Sequence, residues 1–224
     1  MQEKQLVTSP ARPGMGSETR EILHDFNNLF TAIMVYSGLL NSKMHNDPQL
    51  QRYTEEITAA AQQGSQRLAQ LLRLAESENT KPGSTGPNAG PERPDGVERK
   101  KATLLLVEDE ELVRHSVDAA LSMRGYTVLP AANAEEAMTT AQGYPGEIEL
   151  MVTDVSLPIT NGVELAQKIH AVRPRMKVLF MSGSVDAPRT DELALTRESF
   201  FTKPFTPSAL AHKIEEVLNR PSDE

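Results

Sequence analysis

In the second half of the chain, short apolar runs alternate with helical patterns, and that alternation admits few folds. TLLLV at 103–107 is continuously apolar, as a strand buried on both faces of a parallel sheet should be. EELVRHSVDAALSMRG then reads as an amphipathic helix stopped by Gly125. YTVLPAA, LMVTD, KVLFMSG and SFFTKPF repeat the strand signal, while AEEAMTTAQ, VELAQKIHAVRP, the short DELALTRE and TPSALAHKIEEVLNR repeat the helical one. Five strand–helix units with right-handed crossovers predict a doubly wound, five-stranded parallel sheet with helices on both faces. In such sheets chemistry sits at the carboxyl ends of the strands.

The first hundred residues follow other rules. Residues 1–16 carry Pro10, Pro13, Gly14 and Gly16 without periodicity and read as a flexible tail. Over 17–76, Ile22, Phe26, Leu29, Ile33, Tyr36 and Leu40 advance in steps of four and three. Leu50, Tyr53, Ile57, Ala60, Gly64, Leu68, Leu71 and Ala75 do the same. These are two seams of an antiparallel helical hairpin, broken at NDP (46–48), with Pro48 opening the second helix. Residues 77–101 are dense in Pro, Gly and charge and form a linker; residues 102–220 form the α/β domain. The chain is therefore multidomain.

A two-helix hairpin buries too little to stand alone. Leu23, Phe30, Val35 and Leu39 widen the apolar face of its first helix beyond one seam. Homodimerisation into a four-helix bundle is the first expectation, and packing on the α/β domain the second.

Composition narrows the function. A net charge of −8 over 224 residues disfavours nucleic acid or an anionic membrane as partner, since both call for clustered Lys and Arg. The absence of cysteine excludes disulfides, thiolate metal sites and cysteine nucleophiles. No apolar run approaches the ~20 residues needed to span a bilayer, and the start lacks a signal-peptide core. The expectation is a cytoplasmic protein.

Glu108 and Asp109 end the first strand of the α/β domain, and Asp154 ends the third. Three carboxylates at one edge repel one another unless a cation intervenes, and hard oxygen ligands of this kind suit Mg²⁺. Ser182 ends the fourth strand and Lys203 the fifth. A hydroxyl and an ammonium facing such a cluster would serve a phosphoryl group. Helix capping is the plain alternative for a single acid; these positions on four strands outweigh it.

LLLVEDE, DVSLPITNG, FMSGS and FFTKPF, in this order and spacing, resemble the response-regulator receiver domain, whose fold is flavodoxin-like. The resemblance covers nearly all of 102–220. It implies that Asp154 is the phosphorylated residue, and that Glu108, Asp109, Asp154 and the backbone carbonyl of Ser156 bind Mg²⁺. It further implies that Ser182 and Phe200 are the switch pair, that Lys203 is the conserved-type lysine, and that Lys203–Pro204 is cis. On phosphorylation Ser182 would move toward the phosphoryl group and Phe200 would turn into the space vacated.

HDFNNLF at 24–30 is the second informative motif. His24 lies two positions past Ile22, so it points away from the hairpin core, and Asn28, four residues on, shares its face. An exposed imidazole beside a carboxylate, here Asp25, suits phosphoryl acceptance. His45, His115, His170 and His212 read as solvated polar residues. The stretch ETREILHDFNNLFTAIMVYSGLL resembles the phospho-acceptor helix of sensor histidine kinases, within their dimerisation and histidine-phosphotransfer domain. That resemblance implies phosphorylation of His24, an acidic helper in Asp25, and a role for Asn28 in dephosphorylating a partner receiver. The family's ATP-binding domain does not follow; only the linker separates hairpin from receiver, and no glycine-rich phosphate loop is seen.

The sequence thus points to a phosphorelay protein with stations at His24 and Asp154 and no autokinase activity. Its expected partners are a sensor histidine kinase, a partner receiver domain, or both. Two alternatives remain beside it: a phosphatase acting through Asn28, and a binding adaptor in which only Asp154 is phosphorylated.

Overall fold

A computed structural model describes residues 17–44, 47–76, 102–183 and 200–220. The expected tail at 1–16, the linker at 77–101 and the helix DELALTRE (191–198) lie outside the described residues. The hairpin consists of α1 (Ser17–Lys43) and α2 (Pro48–Glu76). The domain after it runs β1 (Thr103–Val107), α3 (Glu111–Ser122), β2 (Thr127–Ala131), α4 (Ala134–Gly143), β3 (Leu150–Asp154), α5 (Gly162–Val172), β4 (Lys177–Ser182), β5 (Phe200–Thr202) and α6 (Pro207–Leu218).

The five strands form one all-parallel sheet in the order β2-β1-β3-β4-β5. β1 and β3, in the interior, are buried at every position, which is why they read as unbroken apolar runs. β2 tolerates Pro130 because it is an edge strand, with only β1 beside it. Successive side chains of β1 feed opposite cores. Leu104 and Leu106 join Val113, Val117, Leu210 and Ile214 of α3 and α6, whereas Leu105 and Val107 join Ala137, Leu165 and Ile169 of α4 and α5. The starts of α4, α5 and α6 carry side-chain caps. Asn133, Asn161 and Thr206 accept from the backbone N–H three residues on, and Pro207 occupies the first turn of α6. Asp47 caps α2 in the same way, accepting from Gln49 and Leu50 N–H at 3.0 and 3.2 Å.

The hairpin packs differently from its sequence reading. Ile22, Phe26, Leu29, Ile33, Tyr36 and Leu40 do not bury against α2; they remain 38–54% exposed. α1 instead meets α2 through a partly polar seam. Ser37 Oγ donates to the Thr54 carbonyl at 2.6 Å, Thr58 Oγ1 to Ser37 Oγ at 3.0 Å and Thr54 Oγ1 to Asn41 Oδ1 at 3.2 Å. A third face of α1 covers the α/β domain. Val35 and Leu39 enter the core built by α3 and α6. Gly38 lies so close to α6 that a Cβ there would stand 2.9 Å from the Pro207 ring. Packing on the α/β domain, the second of the two sequence expectations, is therefore present within one chain.

Candidate functional site

The carboxyl edge of the sheet gathers the acids. β1 delivers Glu108, fully buried, and Asp109 beside it; β3 delivers Asp154, also fully buried. The turn after β1 is held by Arg114, whose guanidinium donates to the Glu108 and Asp109 carbonyls at 2.7 and 3.0 Å. Beyond β3, Val155 N–H donates to Met181 O, and Gly162 N–H to Val155 O, which folds DVSLPITNG back over the strand end. Ser156 N–H donates to Asp154 Oδ1 at 2.8 Å.

Lys203 lies at the centre of the cluster. It follows β5, precedes a cis bond to Pro204 as expected, and is buried. Its Nζ stands 2.5 Å from Asp154 Oδ2, 2.7 Å from Glu108 Oε2 and 3.2 Å from Asn28 Oδ1. Burial alone would lower the lysine pKa, but the Glu108 and Asp154 charges outweigh it and hold the ammonium form. Burial pushes Glu108 up to about 7, with Lys203 opposing. Burial would likewise raise Asp154, yet His24, Lys203 and the Ser156 N–H together hold it well below the usual carboxylate range. Asp154 is thus an anion.

Above this edge lies α1. His24 Nε2 is 3.8 Å from Asp154 Oδ2, a charge contact rather than a hydrogen bond at that distance. The facing Asp154 carboxylate raises the His24 pKa against the effect of burial. Asp25 lies 3.8 Å from His24 Nδ1 on the exposed side. Asn28 bridges the two domains. Lys203 can only donate, so the Asn28 atom beside it is the oxygen, leaving the amide nitrogen 3.2 Å from His24 Nδ1. His24 lies on the face of α1 opposite the exposed apolar stripe, but that face is turned to Asp154, so Nε2 is buried and without a hydrogen-bond partner rather than exposed.

Ser182 is buried at the end of β4, and its carbonyl accepts from Lys203 N–H at 2.7 Å. Phe200 is half-buried and stacks on Phe180 with ring centroids 5.2 Å apart. Sequence reasoning passed over Arg114 and Asn27. Asn27 is buried and donates to the Gly183 carbonyl at 2.6 Å. Its only signal in the sequence was a second amide beside Asn28.

Among the described residues no three or more His, Asp or Glu side chains form a preformed metal cage. Two buried carboxylate oxygens, Glu108 Oε1 and Asp109 Oδ1, have no hydrogen-bond partner, however. Buried, unpaired carboxyl oxygens beside a third carboxylate are the donor set a hard divalent cation takes, so these residues fit Mg²⁺.

A parallel sheet of this order, with acids ending its first and third strands and a buried lysine after its fifth, defines a receiver domain. Residues 104–215, half of the 224-residue chain, match the response regulator receiver domain, and the chain belongs to that family. It is 38% identical over 120 residues to the sensor kinase CckA of Brucella abortus, covering 53% of this chain and 13% of that protein. It is 31% identical over 122 residues to the phosphate regulon transcriptional regulatory protein PhoB of Pseudomonas aeruginosa, covering 53% and 52%. The crystal structure of the receiver domain of the hybrid histidine kinase CckA is 33% identical, with a TM-score of 0.45, and covers 53% of this chain and all of that one. The chain thus spans a small part of the sensor kinase and about half of the regulator. Membership of the family assigns the C-terminal half to two-component signalling.

Proposed function

We propose that the chain is a phosphorelay protein in which His24 and Asp154 are successive stations for one phosphoryl group. The observation that carries this reading is the 3.8 Å approach of His24 Nε2 to Asp154 Oδ2 across the domain interface. Transfer from a phosphorylated His24 breaks the N–P bond and forms an O–P bond on Asp154, leaving the electron pair on Nε2. Such a step asks little covalent chemistry of the protein beyond positioning and charge neutralisation. Lys203 supplies fixed positive charge beside the acceptor, and Asp25 orients the imidazole. Glu108, Asp109, Asp154 and the Ser156 carbonyl would hold Mg²⁺, which when bound neutralises phosphoryl oxygens. Ser182 and Phe200 act as the switch that answers the new charge on Asp154. A sensor kinase supplies the phosphoryl group, and the cytoplasm is the compartment such a partner implies. No described helix is long and apolar enough to cross a membrane.

A homodimer belongs to the same reading. The exposed stripe of α1 runs from Ile22 to Leu40, and Tyr53 and Ile57 of α2 are 50% and 45% exposed. The stripe lies on the opposite side of α1 from Val35 and Asn28, so a second hairpin can cover it while the receiver stays docked. Phe26→Asp should leave a protein that sediments as a monomer where the wild type sediments as a dimer.

One observation favours a second reading, in which Asn28 promotes hydrolysis of a phosphoaspartate. A cavity of about 160 Å³ between α1 and α3 is lined by Asn28 together with Asp25, Leu29, Glu110, Leu112 and Val113, and offers room for water. The experiment that separates the readings is phosphotransfer from a cognate kinase to wild type, His24→Gln and Asp154→Asn. Relay predicts acid-labile, alkali-stable label that is lost in His24→Gln. Label depending only on Asp154 would leave the hairpin a docking or phosphatase module.

A further inference from the structure

The β4–β5 ladder ends at Ser182, which is paired with Thr202. Gly183 is the first residue past it, and its carbonyl accepts from Asn27 Nδ2 at 2.6 Å. A Cβ on Gly183 would stand 3.4 Å from the Asn27 Cβ and Nδ2, so the two segments are in direct contact. Asn27 is buried, 8% exposed, and its own carbonyl accepts from Thr31 Oγ1 at 2.7 Å. While the hairpin stays docked, losing this donor leaves a half-buried carbonyl of the other domain short of its partner. The place of Asn27 in the chain is also telling. It lies three residues from His24, and its acceptor lies one residue from Ser182.

We propose that Asn27 is a positioning residue that latches α1 to the β4 exit, and so couples hairpin docking to the state of the phosphoryl site. This rests on Asp154 being the acceptor, and it adds a residue and a direction to that reading. The direction follows from space. A near-attack N···P contact of roughly 3–3.5 Å and one covalent P–O bond placed in line together exceed the 3.8 Å between His24 Nε2 and Asp154 Oδ2. A phosphoryl group on Asp154 therefore lifts α1 at His24. A lift there, together with any movement of Ser182, pulls on the Asn27–Gly183 bond and releases the hairpin. By linkage, whatever holds the latch closed disfavours phosphoryl occupancy by the same factor.

The test uses the full chain, with amide hydrogen exchange of α1 as the readout of docking and that of β1 and β3 as internal control. Asn27→Ala and the isosteric Asn27→Asp, which cannot donate, should each accelerate exchange in α1 about tenfold while β1 and β3 are unchanged. Acetyl phosphate with Mg²⁺ then probes the coupling: its phosphoryl group passes to a carboxylate oxygen of Asp154 and acetate leaves. Wild type should show faster α1 exchange once Asp154 is phosphorylated, Asp154→Asn should not respond, and the Asn27 variants should respond little. Unchanged α1 exchange in both donor-free variants overturns the latch, as does a loss of protection that extends to β1 and β3. A wild-type-sized response to acetyl phosphate in the variants overturns the coupling. If wild type takes no phosphoryl group, the acceptor reading falls, while the donor-free comparison still decides the latch.

Discussion

Replacing Lys203 by methionine removes the ammonium from a pocket built around it. Its Nζ meets Asp154 Oδ2, Glu108 Oε2 and Asn28 Oδ1 at 2.5, 2.7 and 3.2 Å, and the side chain is fully buried. Breaking a buried pair from one side costs about 3–5 kcal/mol, which for a domain of this size lowers Tm by about 10–20 °C. The deficit should depend on pH, because the orphaned carboxylates can recover by taking protons. Glu108 is already pushed up to about 7 from an ordinary value of 4.5, and losing the lysine raises it further. Between those values the folded variant holds more protons than the unfolded chain, so its stability falls as pH rises. The deficit against wild type should be smallest near pH 5 and largest above pH 7. Thermal melts of both proteins in EDTA at pH 5, 6, 7 and 8 measure it. A deficit below about 1 kcal/mol, or one independent of pH, would refute the account of Lys203 as the counter-charge of the site.

Three further outcomes follow from the same geometry. Val35→Ala removes two methyl groups from the core shared by α1, α3 and α6, about 1.5 kcal/mol of burial, and should weaken hairpin docking roughly tenfold by hydrogen exchange. Gly162→Ala would put a Cβ 2.2 Å from the Asp154 carbonyl oxygen; chemical denaturation should show a loss of about 1–3 kcal/mol from the displaced strand end. Mg²⁺ should raise Tm more at pH 8 than at pH 5.5, because Glu108, with a pKa of about 7, is protonated at the lower pH and offers a poorer ligand; equal stabilisation at both would remove Glu108 from the ligand set.

The α/β domain was legible because each of its signals has one physical cause. TLLLV is apolar throughout since β1 is covered on both faces, and Pro130 in β2 is tolerated only at an edge. Glu108, Asp109, Asp154 and Lys203 could be placed together since they end strands of one parallel sheet. β5 proved shorter than SFFTKPF suggested, because the ladder to β4 runs only from Phe200 to Thr202. The hairpin was harder to read. α1 carries three contact faces, and a step of four and three marks a stripe without saying what covers it. Ile22 to Leu40 read as the seam, while the face buried on the receiver includes Asn27 and Asn28, which composition assigns to solvent. Ser37, Asn41, Thr54 and Thr58 went unread for the same reason: they pair with one another across α1 and α2. Buried polar contacts leave no periodic trace in a sequence.

In the proposed relay His24 hands its phosphoryl group to Asp154 of the same chain. A single-turnover experiment tests it most directly: phosphorylate His24 with a cognate kinase, remove kinase and ATP, add Mg²⁺, and follow phosphohistidine and phosphoaspartate over a hundredfold range of protein concentration. Phosphohistidine should decay as phosphoaspartate appears, at a rate independent of concentration, and Asp154→Asn should retain its phosphohistidine. A rate proportional to concentration, or decay unchanged in Asp154→Asn, would contradict it.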